Sequence, residues 1–138
     1  MTKKRQEPDF DPIPKEYLTN AILLIFAKMF ERAKELKGNA GQVQRAFYRA
    51  HQQFPDTFAN LLFVNPTGSL RSDRLKDIIF HLCVAERYLS RLTRGTRDIL
   101  CMEPDAVQEI LKDEKYYDLE DYLPDGLIDV LLQELQIT

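Results

Sequence analysis

Residues 72–102, SDRLKDIIFHLCVAERYLSRLTRGTRDILCM, change their apolar period half-way along. Up to Glu86, Leu75, Ile78, Ile79, Leu82 and Cys83 recur at three- and four-residue intervals, which is the stripe of an amphipathic helix. Arg74, Lys76 and Asp77 face away from that stripe, and Ser72 or Ser69 is placed to cap it. This predicts a helix over 72–86. Beyond Tyr88 the period shortens to two: Leu89 alternates with Ser90 and Leu92 with Thr93, and Arg94-Gly95 separates two such runs. The spacing predicts a β-hairpin with strands at 88–93 and 97–102.

Upstream, Val43, Ala46, Phe47, Ala50 and Phe54 form one face of a helix expected over 40–53, with Gln42, Arg45, Arg49 and Gln52 on the other and Pro55 ending it. Between it and the capped helix lies FANLLFVNPTGSLRS (58–72), a short strand or last helical turn closed by the turn chemistry of Asn65-Pro66-Thr67-Gly68. Ahead of both, Tyr17, Leu18, Ala21, Ile22, Ile25, Met29 and Ala33 predict a first helix from 15 to 37, started near Pro14 and stopped at Gly38-Asn39. Leu23, Leu24, Phe26 and Phe30 make that helix apolar nearly all round, so it must be buried on several sides, as a central core helix or in a subunit interface. Residues 1–14, with Lys3, Lys4, Arg5 and three prolines, read as a flexible arm.

Downstream, Pro104 and Asp105 open a helix carrying Val107, Ile110 and Leu111. Pro124 to Gly126 open a last one carrying Leu127, Ile128, Val130, Leu131, Leu132 and Leu135. The expectation is a mainly α fold of α+β type: one helical domain over 15–138 with a small hairpin and an acidic C-terminal helical extension.

The order helix, helix, capped helix, hairpin resembles a winged helix over about residues 41–102, chiefly in the stretch quoted above. The resemblance implies a recognition helix at 72–86 and a wing tip at Arg94 and Gly95, used on DNA in winged helices that bind it. Winged helices also serve as interaction modules in multi-subunit assemblies, so the fold leaves function open. The chain departs from the usual pattern in the apolar segment 58–70, where a short polar turn is the rule.

Apolar residues make up 44% of the 138 and charged residues 30%, as in an ordinary globular domain. The longest apolar run, Ala21 to Ala27, is far short of the roughly 20 residues that span a membrane. With no signal-peptide pattern upstream, the expected location is cytoplasmic. Charge is distributed unevenly: 17 basic and 11 acidic side chains precede Glu103, whereas 2 basic and 11 acidic follow from there on. Arg71, Arg74, Lys76, Arg87, Arg91, Arg94 and Arg97 gather on the expected capped helix and hairpin, a candidate nucleic-acid contact surface. Asp73, Asp77, Glu86 and Asp98 offset them in part, and a pI near 5.4 makes a dedicated DNA-binding domain the lesser expectation. The acidic end reads as the solvent side of packed helices or as a polyanionic surface for a basic partner. Leu131, Leu132 and Leu135 join Leu23, Leu24, Phe26 and Phe30 as candidates for a protein interface.

Catalytic patterns are missing: there is no GxGxxG, GxxxxGK or HExxH, and His81 and Cys83, two apart on a helix, point in different directions. Two cysteines and two histidines give no metal-ligand spacing, and Cys83 and Cys101 read as free thiols, with a disulfide between them left open. The leading expectation is therefore a non-enzymatic accessory or adaptor subunit without cofactor or metal. It joins a protein partner, touches DNA through the basic surface or forms a homo-oligomer. A stand-alone winged-helix regulator comes second and an enzyme of unknown type last.

Overall fold

The computed structural model describes residues 11–65 and 71–137; most of the N-terminal arm, the turn at Pro66 to Gly68 and the alternative cap Ser69 lie outside them. The fold is mainly helical with a small three-stranded antiparallel sheet. Its elements are α1 (Leu18–Arg32), β1 (Glu35–Lys37), α2 (Ala40–Gln53), α3 (Asp73–Phe80), β2 (Ser90–Arg94), β3 (Arg97–Cys101), α4 (Pro104–Lys112) and α5 (Leu127–Leu135).

Helix α1 lies at the centre. Every residue from Ala21 to Ala27 is buried, because α4 and α5 pack along it and α3 also touches it. Each large apolar side chain removed from water in this way contributes roughly 1.5–3 kcal/mol, so α1 is the main source of cohesion. The described end of the N-terminal arm is fixed rather than free. Ile13 is fully buried, its N–H donates to the Thr57 carbonyl at 3.2 Å, and its carbonyl accepts from Asn60 Nδ2 at 2.8 Å.

The first helix ends five residues earlier than its periodicity predicts. At Ala33 the chain becomes extended, and Glu35, Leu36 and Lys37 pair with Cys101, Leu100 and Ile99 of β3. Ala33 and Leu36 continue the helical spacing, but Leu36 is buried as the inward residue of a strand, so tertiary pairing overrides the local period. Gly38 is accordingly a close-approach residue and not a helix stop. A Cβ there would lie 2.8–3.0 Å from the backbone of Ile99 and Leu100, and its N–H donates to the Asp98 carbonyl at 2.8 Å.

Asn39 caps α2 by accepting from the N–H groups of Gly41 and Gln42. The segment after it holds a 3-10 turn, Ala59–Leu61, and a single antiparallel bridge between Val64 and Arg71. Ser72 caps α3, which passes directly into a π-helical turn at His81–Ala85. The hairpin follows with Gly95 at φ +66° at the first of its two turn residues. The strand order is β1-β3-β2, so β1 joins the hairpin from the far side of β3.

The acidic end folds back onto the body. Glu114–Tyr122 form a 3-10 stretch with Tyr116 and Leu119 buried, and α5 packs against α2. Lys28 meets Glu120 at 2.9 Å, Arg32 meets Asp129 at 2.7 Å and Arg49 meets Glu134 at 3.2 Å. Each such exposed pair contributes little, on the order of 0–1 kcal/mol, but together they turn carboxylates of the C-terminal segment toward cations of α1 and α2.

Candidate functional site

A groove of about 1470 Å³ runs between α2, α3 with its π turn, and the start of β2. Its buried lining is Val43, Ile79 and Leu89, which the helical stripes and the strand entry turn inward. Around it stand Phe80, Val84 and Leu92, which are 66%, 54% and 45% exposed. Phe80 and Val84 are four apart, one position off the inward stripe of Ile79 and Cys83, so the continuous turn of α3 into the π helix presents both outward.

Arg45, Arg71, Lys76, Arg87 and Arg91 line the same groove, and Asp77 is the only carboxylate among its lining residues. Arg71 is held by Asp73 at 3.4 Å; none of the other four cations has an ion pair with a described residue. Arg87 adopts a left-handed backbone, φ +60°, where the π turn hands over to the strand.

Of the seven basic residues expected at a nucleic-acid surface, Arg71, Lys76, Arg87 and Arg91 come together here. The other three do not. Arg94 bridges the sheet to Glu35 at 2.9 Å, so at the hairpin end this guanidinium is held in an ion pair. Arg97 lines a separate hollow of about 520 Å³ with Lys37 and Thr96, and Arg74 is half-buried with its Nε unpaired. Arg45, on the polar face of α2, lines both hollows and was visible in sequence only as a solvated residue.

The seven apolar candidates for an interface, Leu23, Leu24, Phe26, Phe30, Leu131, Leu132 and Leu135, are all in the core, Phe30 being the most exposed at 8%. The apolar excess of α1 is used up inside the chain because α4 and α5 cover it, and these residues leave no surface for a second protein. Large apolar residues do reach solvent elsewhere, at Tyr17, Leu62, Val64 and Tyr117 singly along the chain and at Phe80, Val84 and Leu92 in this groove.

Both cysteines are free. Burial pushes the Cys83 thiol up, against a smaller downward pull from Arg91, and burial also raises Cys101. A raised thiol is the reverse of an activated nucleophile. His81 turns to Glu86, with Nε2 3.3 Å from Oε2. Among the described residues no three His, Cys, Asp or Glu side chains converge as metal ligands, and no helix is long and apolar enough to cross a membrane. Comparisons with protein-family models, with curated proteins and with solved structures find no match to this chain.

Proposed function

We propose that the chain is a non-enzymatic accessory module of winged-helix type that joins a larger assembly by seating a partner protein in the groove between α2, α3 and β2. The observation that carries this reading is that Phe80, Val84 and Leu92, all about half exposed or more, line one hollow together with five cations. Protein interfaces combine an apolar centre with a polar rim, and arginine and aromatic residues supply most of their binding energy. The winged-helix assignment is supported by the helix, helix, capped helix, hairpin order and by the third strand, β1, that ties the hairpin to the body.

A stand-alone DNA-binding regulator is the second reading, favoured by Lys76 of α3, Arg87 after the π turn and Arg91 of β2, which line one groove. It is the weaker one because the outward face of α3 carries the apolar Phe80, which makes no hydrogen bond to a base edge, and Asp77, which repels phosphate.

Photo-crosslinking tests the choice. A benzophenone amino acid in place of Phe80 is expected to give protein adducts in the native cell, and the same group in place of the exposed Tyr117 is not. Adducts to nucleic acid at position 80, or none at all, would overturn the accessory-module reading.

A further inference from the structure

We infer that the groove's occupant is an extended, acidic segment of the partner, added as a fourth strand along the free edge of β2. This rests on the protein-binding reading of the groove and specifies how the partner is held.

Among the described residues the sheet order leaves β2 at an edge, and Leu89 to Leu92 form one wall of the groove. In an antiparallel ladder, opposed residues alternate between pairs that exchange hydrogen bonds and pairs whose backbone groups point outward. Arg94 and Arg97 close the two-residue turn, so Arg94, Leu92 and Ser90 bond to β3, while the N–H and C=O groups of Arg91 and Thr93 aim away from it. The register is corroborated from the far side, where the carbonyl of Asp98, opposite Thr93, is turned to the Gly38 N–H. All five residues of β2 are exposed. The opposite edge is partly closed, since Leu36 of β1 bridges Gln136.

An unpaired edge beside apolar side chains is the arrangement of strand addition, in which main-chain bonds give affinity and alternate side chains give specificity. Charge selects the occupant. Arg45, Lys76, Arg87 and Arg91 line the groove that the added segment would enter, which favours carboxylates at its polar positions. A second copy is disfavoured, because antiparallel pairing of β2 with itself sets Arg91 and Arg94 of one copy among those of the other.

The test uses the full chain and two synthetic ten-residue peptides, one alternating valine with glutamate and one alternating valine with lysine. A third peptide with valine and glutamate at helical spacing and a short DNA duplex serve as competitors. Binding is read by fluorescence anisotropy and by amide hydrogen exchange. The expected result is that the alternating acidic peptide binds, weakens at least tenfold between low and moderate salt, and slows exchange of the Arg91 and Thr93 amides. Thr93→Pro removes one outward N–H and spares the backbone bonds to β3, losing only the exposed side-chain bond from Thr93 Oγ1 to Asp98 Oδ1, and should weaken binding at least tenfold, whereas Thr93→Val, which loses that side-chain bond alone, should not. Arg91→Glu, which keeps the backbone, should weaken binding to the same degree by charge. Folding of the variants is verified by circular dichroism, and the exchange result on the unaltered chain stands without them.

Absence of binding, equal binding of the lysine or helical peptide, unchanged Arg91 and Thr93 exchange, displacement by DNA, or a dimer abolished by Thr93→Pro would each overturn the inference. If crosslinking at position 80 still captures a protein, the accessory-module reading survives that failure; if it does not, both fall.

Discussion

The side-chain amide of Gln44 reads both backbone groups of Ser72: Oε1 accepts from the Ser72 N–H at 2.8 Å and Nε2 donates to the Ser72 carbonyl at 2.9 Å. Ser72 is fully buried; its hydroxyl donates to the Leu61 carbonyl and accepts from the Leu75 N–H at 3.0 Å. Two residues thus fix the start of α3 against α2 and against the segment before it, and with it one wall of the groove.

Replacing Gln44 by Ala strands a donor and an acceptor at the α2–α3 junction and is expected to destabilise the chain by about 1–3 kcal/mol. Ser72→Ala removes a helix cap and leaves the Leu61 carbonyl without its donor, a loss of about 1–2 kcal/mol. Urea denaturation of the two variants measures both, and a midpoint unchanged from the wild type would count against this account of the junction.

Gly38→Ala drives a methyl group into the backbone of β3. The expected cost is about 1–3 kcal/mol, as for other overpacked sites, with a lowered melting temperature. Wild-type stability in this variant would mean that β1 is not held as close to β3 as described.

His51 lies against Tyr48 and Phe63 with its Nδ1 buried and unpaired, and burial lowers its pKa from the ordinary 6.5. The unfolded chain therefore takes up this proton more readily than the folded one. The contribution is absent at neutral pH, and stability is expected to fall as pH drops below 6.5 toward the lowered folded value. Denaturation midpoints followed from pH 7.5 downward should show this slope in the wild type and lose it in His51→Gln.

Phe80→Ser removes an aromatic ring that is mostly in water, and stability should change by no more than about 0.5 kcal/mol. Phe26→Ala, in the fully buried core, should cost about 3–5 kcal/mol. A Phe80 variant as damaged as the Phe26 variant would place that ring in the core and remove the apolar side of the groove.

Thiol titration without reductant should find two free cysteines in the unfolded chain, and alkylation of the folded one at neutral pH should run slower than for an unperturbed thiol. The reason is that burial disfavours both thiolates. A disulfide, or fast labelling of Cys83, would contradict the structure.

Much of the fold is local and was readable as such. The α2 stripe ends at Pro55, Ser72 caps α3, Gly95 turns the hairpin and Pro104 opens α4, because each depends on a residue's own backbone preferences and on spacing along one element. The strand at Glu35–Lys37 was not readable, since ELK continues the helical spacing of α1 and becomes a strand only when β3 arrives to pair with it. The candidate site was half legible: the cations of α3 and the hairpin were evident as a group, whereas their division between a groove, an ion pair and a second hollow was not.

Sequence by itself determined where α2, α3, the hairpin, α4 and α5 lie, that α1 must be buried on several sides, and that positive and negative charge divide near Glu103. Only the tertiary structure decided which apolar residues stay uncovered. Leu23 and Phe26 looked like interface residues and are enclosed, while Phe80, Val84 and Leu92 remain in solvent. The reason is physical: a period along the chain says which face is apolar, but covering that face takes atoms from distant segments, and where they stop is set by packing in three dimensions.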